Sequence, residues 1–354
     1  MNRAELFDAI RHGEPVQAAD LSGLDLAGAD LSGALFEKVR FPGAMAGARL
    51  AESSLIECDL ADADLSGADL HLTTLFRSRL RGASLSSASL VAATFSECDG
   101  ANTAWREAEA PLATWNRCDL TAAAFDGANL DRGNFFETDL SEARLASTYL
   151  HQVTLYRADL VSADLTGADL TLTTLVEARL GAKRYADMTL FRTQFMRSEM
   201  AGSDFAGVDV SQCNFMAADL SGSTFAGATG SMTFFGEAIL DGASFRKGRF
   251  RQAVFERARL AKADLSQAEL VETVFQHAVA PGARFVGAEL SHADFSHADV
   301  TAADFTDGRL FRAKFHRAER KDAVLGGKGW LGDDPVLAEA ETWQPATDEA
   351  GTTE

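Results

Sequence analysis

Four cysteines and three of the seven histidines are the side chains in this 354-residue chain best suited to chemistry, so their spacing is considered first. Cys58, Cys98, Cys118 and Cys213 all fall at one position of a five-residue period that usually holds Ala, Ser or Thr. A position shared with alanine reads as a small buried hydrophobe, and free thiols are expected. Cys98 and Cys118 are separated by four such periods. Stacking at ladder spacing would leave their Cβ atoms farther apart than the roughly 3.8 Å a disulfide needs. His277, His297 and His316 gather on one edge if the chain coils once every four periods. No carboxylate or cysteine stands at a spacing that would complete a metal site with them, so solvated surface is the expectation. Gly326-Gly327-Lys328-Gly329 lacks the glycine spacing and the Lys-Ser/Thr ending of a phosphate loop. The aspartates recur with the period, so a pair of them is no sign of acid–base catalysis. No nucleophile–base constellation stands out, and neither enzymatic activity nor a cofactor is expected.

The period that places these residues dominates the chain. From Leu50 to Phe315 every fifth residue is in one register, and 44 of the 54 are Leu or Phe. A small residue stands two positions earlier, with Val153, Lys183, Met188 and Val208 as exceptions. Leu21, Leu26, Leu31, Phe36 and Phe41 keep the same period and join the rest through a one-residue slip before Leu50. Five fits neither a helix nor a flat strand. It fits a chain that turns a corner once per period and points two side chains of each period inward.

Aromatic spacing counts the corners. Phe195, Phe215, Phe235, Phe255, Phe275, Phe295 and Phe315 recur at every fourth period, and Phe205, Phe225, Phe245, Phe285 and Phe305 run half a coil out of phase. One coil is therefore four periods with four faces, and the fold class is all-β, a right-handed quadrilateral parallel β-helix. Residues 59–80 resemble 159–180, five coils on, which duplication of coils explains. Glu57, Arg77, Glu97, Arg117, Glu137, Arg157, Glu177 and Arg197 alternate in sign at the same spacing, so each interior member should meet an opposite charge above and below.

Ala-(Asp/Asn)-Leu-x-x units, as in Ala63-Asp64-Leu65-Ser66-Gly67, resemble the pentapeptide-repeat family over residues 19 to about 318. The resemblance implies a square rod with a dry Leu/Phe core. About 15 coils at about 4.8 Å each give a length on the order of 70 Å. Residues 1–18 are expected to form a helical cap, with Leu6 and Ile10 on the first coil, and 19–318 the solenoid. Residues 319–343 would form a C-terminal cap in which Trp330, Leu331, Val336, Leu337 and Trp343 fold over the last coil or meet another rod end. An end-to-end homodimer would follow from the latter, since some family members pair that way. Residues 344–354 read as a disordered acidic tail. Breaks of pattern at 96–118 (Gly100, Trp105, Ala110, Trp115), at 181–190 (Lys183, Tyr185, Met188) and at 280–282 (Pro281) suggest bends, bulges or small loops.

With 33 basic and 52 acidic residues, a net charge of −19 argues against direct nucleic-acid binding. No run of about 18 apolar residues exists, so no membrane span is expected. Lacking a signal-peptide pattern, the chain defaults to the bacterial cytoplasm, although export without a signal peptide would be compatible with it. The outward position before the core residue is acidic on much of three faces, as in Asp99, Asp119, Asp139 and Asp159. On the fourth face it is nearly uncharged: Thr74, Thr94, Thr114, Asn134, Thr154, Thr174, Gln194 and Asn214. Beside it runs an apolar column of Ile56, Phe76, Phe136, Tyr156, Val176, Met196 and Met216, flanked by Leu72, Leu172, Phe191 and Met232. An apolar strip of this length reads as a contact surface for a protein partner.

Three functions fit these features. The first is an interaction scaffold: Ala9-Ile10-Arg11-His12-Gly13-Glu14 leading to Leu21-Ser22-Gly23-Leu24-Asp25-Leu26 resembles accessory pentapeptide-repeat proteins of type VI secretion. The second is DNA mimicry, since some family members imitate B-form DNA and bind DNA gyrase. The acidic files favour it; the Glu/Arg ladder, and the lack of a long inserted loop of the kind several resistance proteins carry, weigh against it. The third is a carrier for a secreted effector, against which stands the absence of a recognisable toxin domain.

Overall fold

A computed structural model describes residues 1–326 and 328–342. The expectations for Trp343 and the acidic tail fall outside the described residues. Helix α1 (Arg3–Arg11) begins with a capping box in which Asn2 accepts from the Glu5 amide and Glu5 accepts from the Asn2 amide. Leu6 is fully buried, and Ile10 packs against the first coil from the side.

The coils stack in parallel. Among the described residues, strands of two or three residues on one face form a nine-stranded sheet in sequence order: β1 (Val16–Gln17), β2 (Leu35–Glu37), β3 (Ser54–Ile56), β4 (Thr74–Phe76), β5 (Thr94–Ser96), β6 (Thr114–Asn116), β7 (Asn134–Phe136), β8 (Thr154–Tyr156) and β9 (Thr174–Val176). Thr74 pairs with Thr94 and Thr94 with Thr114, a register of four full periods. Phe36 pairs with Leu55, one residue short of that, so the slip is a coil shortened by a residue between Phe41 and Met45. The remaining faces are held by single-residue bridges such as Asp59 with Arg79, Asp64 with Ser84 and Asp69 with Ser89.

The continuous sheet is shorter than the expected stack of coils. Beyond Val176 its face carries on only as isolated bridges, from Thr174–Gln194 to Lys314–Leu331. The cause lies in the corner. In the later coils the amide after the corner donates to the core residue's carbonyl, as from Ala218 to Phe215 (3.0 Å) and Ala258 to Phe255 (3.0 Å). Among the described residues that bond is missing after β1 to β9, so the corner stays open and the backbone stays extended through each short strand. That carbonyl instead joins the sheet ladder, as the pairing of Phe76 with Ser96 in the next coil requires, and in several coils a side chain adds a second donor. Ser78 Oγ donates to the Leu55 carbonyl (3.1 Å), Thr138 Oγ1 to Trp115 (3.2 Å), and the Cys98 and Cys118 thiols to Leu75 and Phe95 (3.5 and 3.4 Å). The same kind of side-chain donor also reaches carbonyls at closed corners, as from Thr193 to Leu170 and from Thr233 to Val210.

The core is a double file of rings. Phe215, Phe235 and Phe255 stack at 5.1 and 4.8 Å, Phe205 and Phe225 at 4.7 Å, and the two files meet edge to face across the axis. All four cysteines are free and buried. Burial pushes the Cys58 and Cys213 thiols up to about 11 and about 12, while the hydrogen bond with Cys98 and burial push Cys118 further up.

Two of the three expected irregularities keep a regular backbone. At 96–118 two large rings, Trp105 and Trp115, share a coil with Gly100 and Ala110, and core volume is conserved without a bulge. Pro281 and Gly282 occupy the two corner positions of a closed turn, Gly282 at φ +66°, with the Ala283 amide donating to the Ala280 carbonyl. Only 181–190 breaks the ladder. Leu180 and Gly181 both donate to the Glu199 carbonyl, and the bridge that would join Asp164 to Arg184 is missing. Lys183 turns away from the core and donates to the Val161 and Ala163 carbonyls (3.2 and 2.6 Å). Tyr185 stays fully buried, stacked on Phe205 at 4.1 Å. The coil also marks where open corners give way to closed ones.

Outward aspartates bind the corner that follows them. Asp164 accepts from the Thr166 hydroxyl and amide (2.7 and 3.0 Å), Asp304 from those of Thr306 (2.6 and 2.9 Å). These bonds, the hydroxyl first, hold both carboxyls below the ordinary 3.8. A folded-state pKa below the unfolded one gives stability that is present above the unfolded value and lost as pH falls through the folded value. The melting temperature should therefore be flat from about pH 7 to 5 and fall below about pH 4. Thermal melts across that range check it, and a melting temperature unchanged at about pH 3 would contradict it.

Candidate docking face

The fourth face is the one carrying β1 to β9. Its central column of Thr74, Thr94, Thr114, Asn134, Thr154 and Thr174 is uncharged and pairs residue to residue along the rod. Phe76, Phe136, Tyr156 and Val176 line one edge because an open corner leaves the residue after the core position extended, with its side chain at the rim. They are half-buried rather than bare. The Arg77 guanidinium lies over the Phe76 ring at 4.7 Å and Arg157 over Tyr156 at 4.9 Å. Ser96 and Asn116 interrupt this edge between Phe76 and Phe136. Met196 and Met216 continue it, also half-buried.

On the opposite edge Leu72 and Phe191 are about half exposed (51% and 47%), Leu172 less so. Phe191 carries Arg192 over its ring and borders a shallow cavity of about 290 Å³ with Met188 and Leu190. Met232 is 55% exposed.

Several apolar residues of this face escaped the sequence reading. Leu112, 51% exposed, and Val91 fill the opposite edge where Ser96 and Asn116 interrupt the first. Farther along, the apolar line moves to the central column, where Phe234, Val254 and Val274 succeed Asn214. The Phe234 ring lies over Gly236, whose absent side chain leaves it room: a Cβ there would stand 2.5 Å from the ring. The periodicity places Phe234 in that column, and the change from Thr and Asn to Phe and Val is the available signal.

The charge ladder bordering the face forms in part. Arg77 pairs with Glu97 (2.7 Å), and Arg117, Glu137, Arg157, Glu177 and Arg197 form one continuous run. Glu57 turns to Lys38 (3.7 Å), and Glu97 and Arg117 do not pair. Each exposed pair is worth roughly 0–1 kcal/mol. Asp99, Asp119, Asp139 and Asp159 form an unbroken ladder, partly neutralised by Arg81 at one end and Arg179 at the other. No described helix is long and apolar enough to cross a membrane.

A family model described as pentapeptide repeats matches eight copies, over residues 17–46, 45–82, 134–171, 193–229, 238–276 and 268–307. No curated protein sequence matches the chain significantly. Among solved structures, similarity is found to full-length QnrB1, a plasmid-mediated fluoroquinolone resistance protein. Identity there is 20%, over 56% of this chain and 90% of that one, with a TM-score of 0.40. HetL, a pentapeptide repeat protein involved in heterocyst differentiation regulation in the cyanobacterium Nostoc, is 26% identical over 73% of this chain and 88% of its own, with a TM-score of 0.28. A pentapeptide repeat protein of the Arabidopsis thaliana thylakoid lumen is 29% identical over 30% and 68%, with a TM-score of 0.23.

Proposed function

Given that the chain belongs to the pentapeptide-repeat family, we propose that it is a non-enzymatic scaffold whose fourth face docks a protein partner. One observation carries the reading: a face with an uncharged floor and apolar side chains along both rims, Phe76, Phe136, Tyr156 and Val176 on one and Leu72, Leu112, Leu172 and Phe191 on the other. Threonine floors lie flat, and half-exposed rims supply the apolar area that a partner would remove from water. The arginines over Phe76 and Tyr156 swing aside at little cost, because they lie in solvent. The N-terminal resemblance makes a type VI secretion component in the bacterial cytoplasm the first partner to look for.

Capture from a bacterial lysate by the intact rod and by a Phe76→Glu/Tyr156→Glu/Met196→Glu variant tests the reading. The partner retained by the intact rod should bind the variant at least tenfold more weakly while circular dichroism is unchanged. Equal capture by both would sink it. A second reading, imitation of DNA toward gyrase, is favoured by the Asp99–Asp159 ladder; gyrase bound equally by both proteins would replace the first reading with this one.

A further inference from the structure

His297 and His316 stand on one edge of adjacent coils, and α2 (Pro335–Thr342) lies across them. Its last turn brings Glu341 between the rings, with Oε1 3.1 Å from His297 Nε2 and Oε2 3.3 Å from His316 Nε2. One ligand atom from each of the three residues can be chosen so that all lie within 4.8 Å of one another. We propose that His297, His316 and Glu341 bind a divalent transition-metal ion of the zinc class, which fastens α2 to the rod. The site lies farther along the same edge, His316 in the column of Phe76 and Tyr156 and His297 in that of the Glu/Arg ladder, but the proposal does not rest on the docking reading.

Tetrahedral zinc with bonds of about 2.0–2.1 Å sets its ligand atoms roughly 3.3 Å apart. Each histidine already stands at about that distance from a carboxylate oxygen. The remaining separation closes by rotation of the His297 ring, which is stacked on His277 at 4.8 Å. Two imidazoles and one carboxylate are a set that borderline cations prefer over calcium or magnesium. A cavity of about 430 Å³, bordered by Asp294, Lys314 and Leu337, leaves room for water at the fourth position. Arg317 Nη1, 3.1 Å from Glu341 Oε2, becomes the outer partner that orients the carboxylate.

One contact opposes the metal. The Asp334 amide donates to His316 Nδ1 at 3.0 Å, which puts the ring proton on Nε2, toward Glu341. Coordination through Nε2 moves that proton to Nδ1 and breaks the bond to Asp334. The loss weakens affinity by roughly ten- to hundredfold, against a charged, three-ligand site that gains far more. It also marks the event, because Asp334 caps α2 by accepting from the Val336 and Leu337 amides (3.0 and 3.1 Å).

Full-length protein without a purification tag should bind one zinc ion in isothermal titration with ZnCl2, with a dissociation constant in the micromolar range or tighter. Affinity should fall at least 30-fold in Glu341→Gln, which keeps the surface shape, and in His316→Ala. His292→Ala, outside the cluster, should bind like the parent. Amide exchange at Asp334 should quicken when zinc is added. Absence of binding, or equal binding by Glu341→Gln and the parent, overturns the proposal. If His316→Ala fails to fold, Glu341→Gln alone decides.

Discussion

Phe235→Ala is expected to lower the stability of the rod by about 3–5 kcal/mol, the range for deleting a buried phenylalanine. The ring has no solvent exposure. It stacks on Phe215 and Phe255, meets Phe225 and Phe245 edge to face at 5.4 and 5.6 Å, and touches Phe250 at 6.1 Å, so one deletion strips five ring neighbours. Coils touch only their neighbours, so this damage cannot be shared along the rod. Unfolding should then occur in two steps, the weakened coils opening before the segment around Trp105 and Trp115. Urea melts followed by tryptophan fluorescence and by circular dichroism would separate the steps. Phe311→Ala, at a 57% exposed position, is the control and should cost under about 1 kcal/mol. Equal losses in the two variants would mean that the ring file contributes nothing special.

The second large effect runs against the repeat pattern. Gly230 stands where the period calls for leucine, yet Gly230→Leu should destabilise the protein by about 3 kcal/mol, the upper end for overpacking. A Cβ there would stand 2.2 and 2.4 Å from ring carbons of Phe250 and 2.9 Å from Thr233 Oγ1. The Phe250 ring from the next coil fills the vacancy, 5.1 Å from Phe245 and edge to face with it. Volume is thus conserved between coils rather than within one. The double variant Gly230→Leu/Phe250→Leu should return to within about 1 kcal/mol of the parent, since residues in contact do not act additively. Thermal melts of the two variants decide; a stabilising Gly230→Leu would show that the pattern outranks the packing.

Most of the architecture was legible because a period of five leaves few alternatives. The ring files, the four faces, the slip near Phe41 and the free thiols are all read directly from spacing. The corner type was not foreseen, and the sequence marks it only in part. The small position after the fourth-face corner is Cys58, Ser78, Cys98, Cys118 and Thr138 at five successive open corners, but Ala158 and Ala178 at the last two. At closed corners it is Ser198 and then Ala218, Ala238, Ala258, Ala278 and Ala298. The small residue alone therefore does not announce the corner type, and neither does periodicity.

Other features arise for reasons outside the period. The ladder runs on past residue 318, with Asp299 bridged to Glu319 and Asp304 to Val324. Trp330 lies against the last coil, edge to face with Phe315 at 5.8 Å. Val336, 77% exposed, and Leu337 do not cover it, because α2 turns along the edge instead of across the end. Glu341 reaches the histidines from that helix, and no spacing within the repeat could have announced it. Leu112 and Val91 share the edge already marked by Leu72 and Leu172, but Ala92, Arg132 and Gln152 in the same column hide the continuity.

Helix α1 has a further meaning. Every coil of this rod offers its free amides and carbonyls along the axis, so an uncovered end is a template for the next chain. In its interior such a stack has the hydrogen-bond plan of a cross-β fibril. What separates the two is termination. Leu6 and the helix that carries it close the first rung, and Trp330 shields the last ring. A chain deprived of α1 would expose a growing tip, and finite length is therefore a property that this polypeptide encodes in its opening helix.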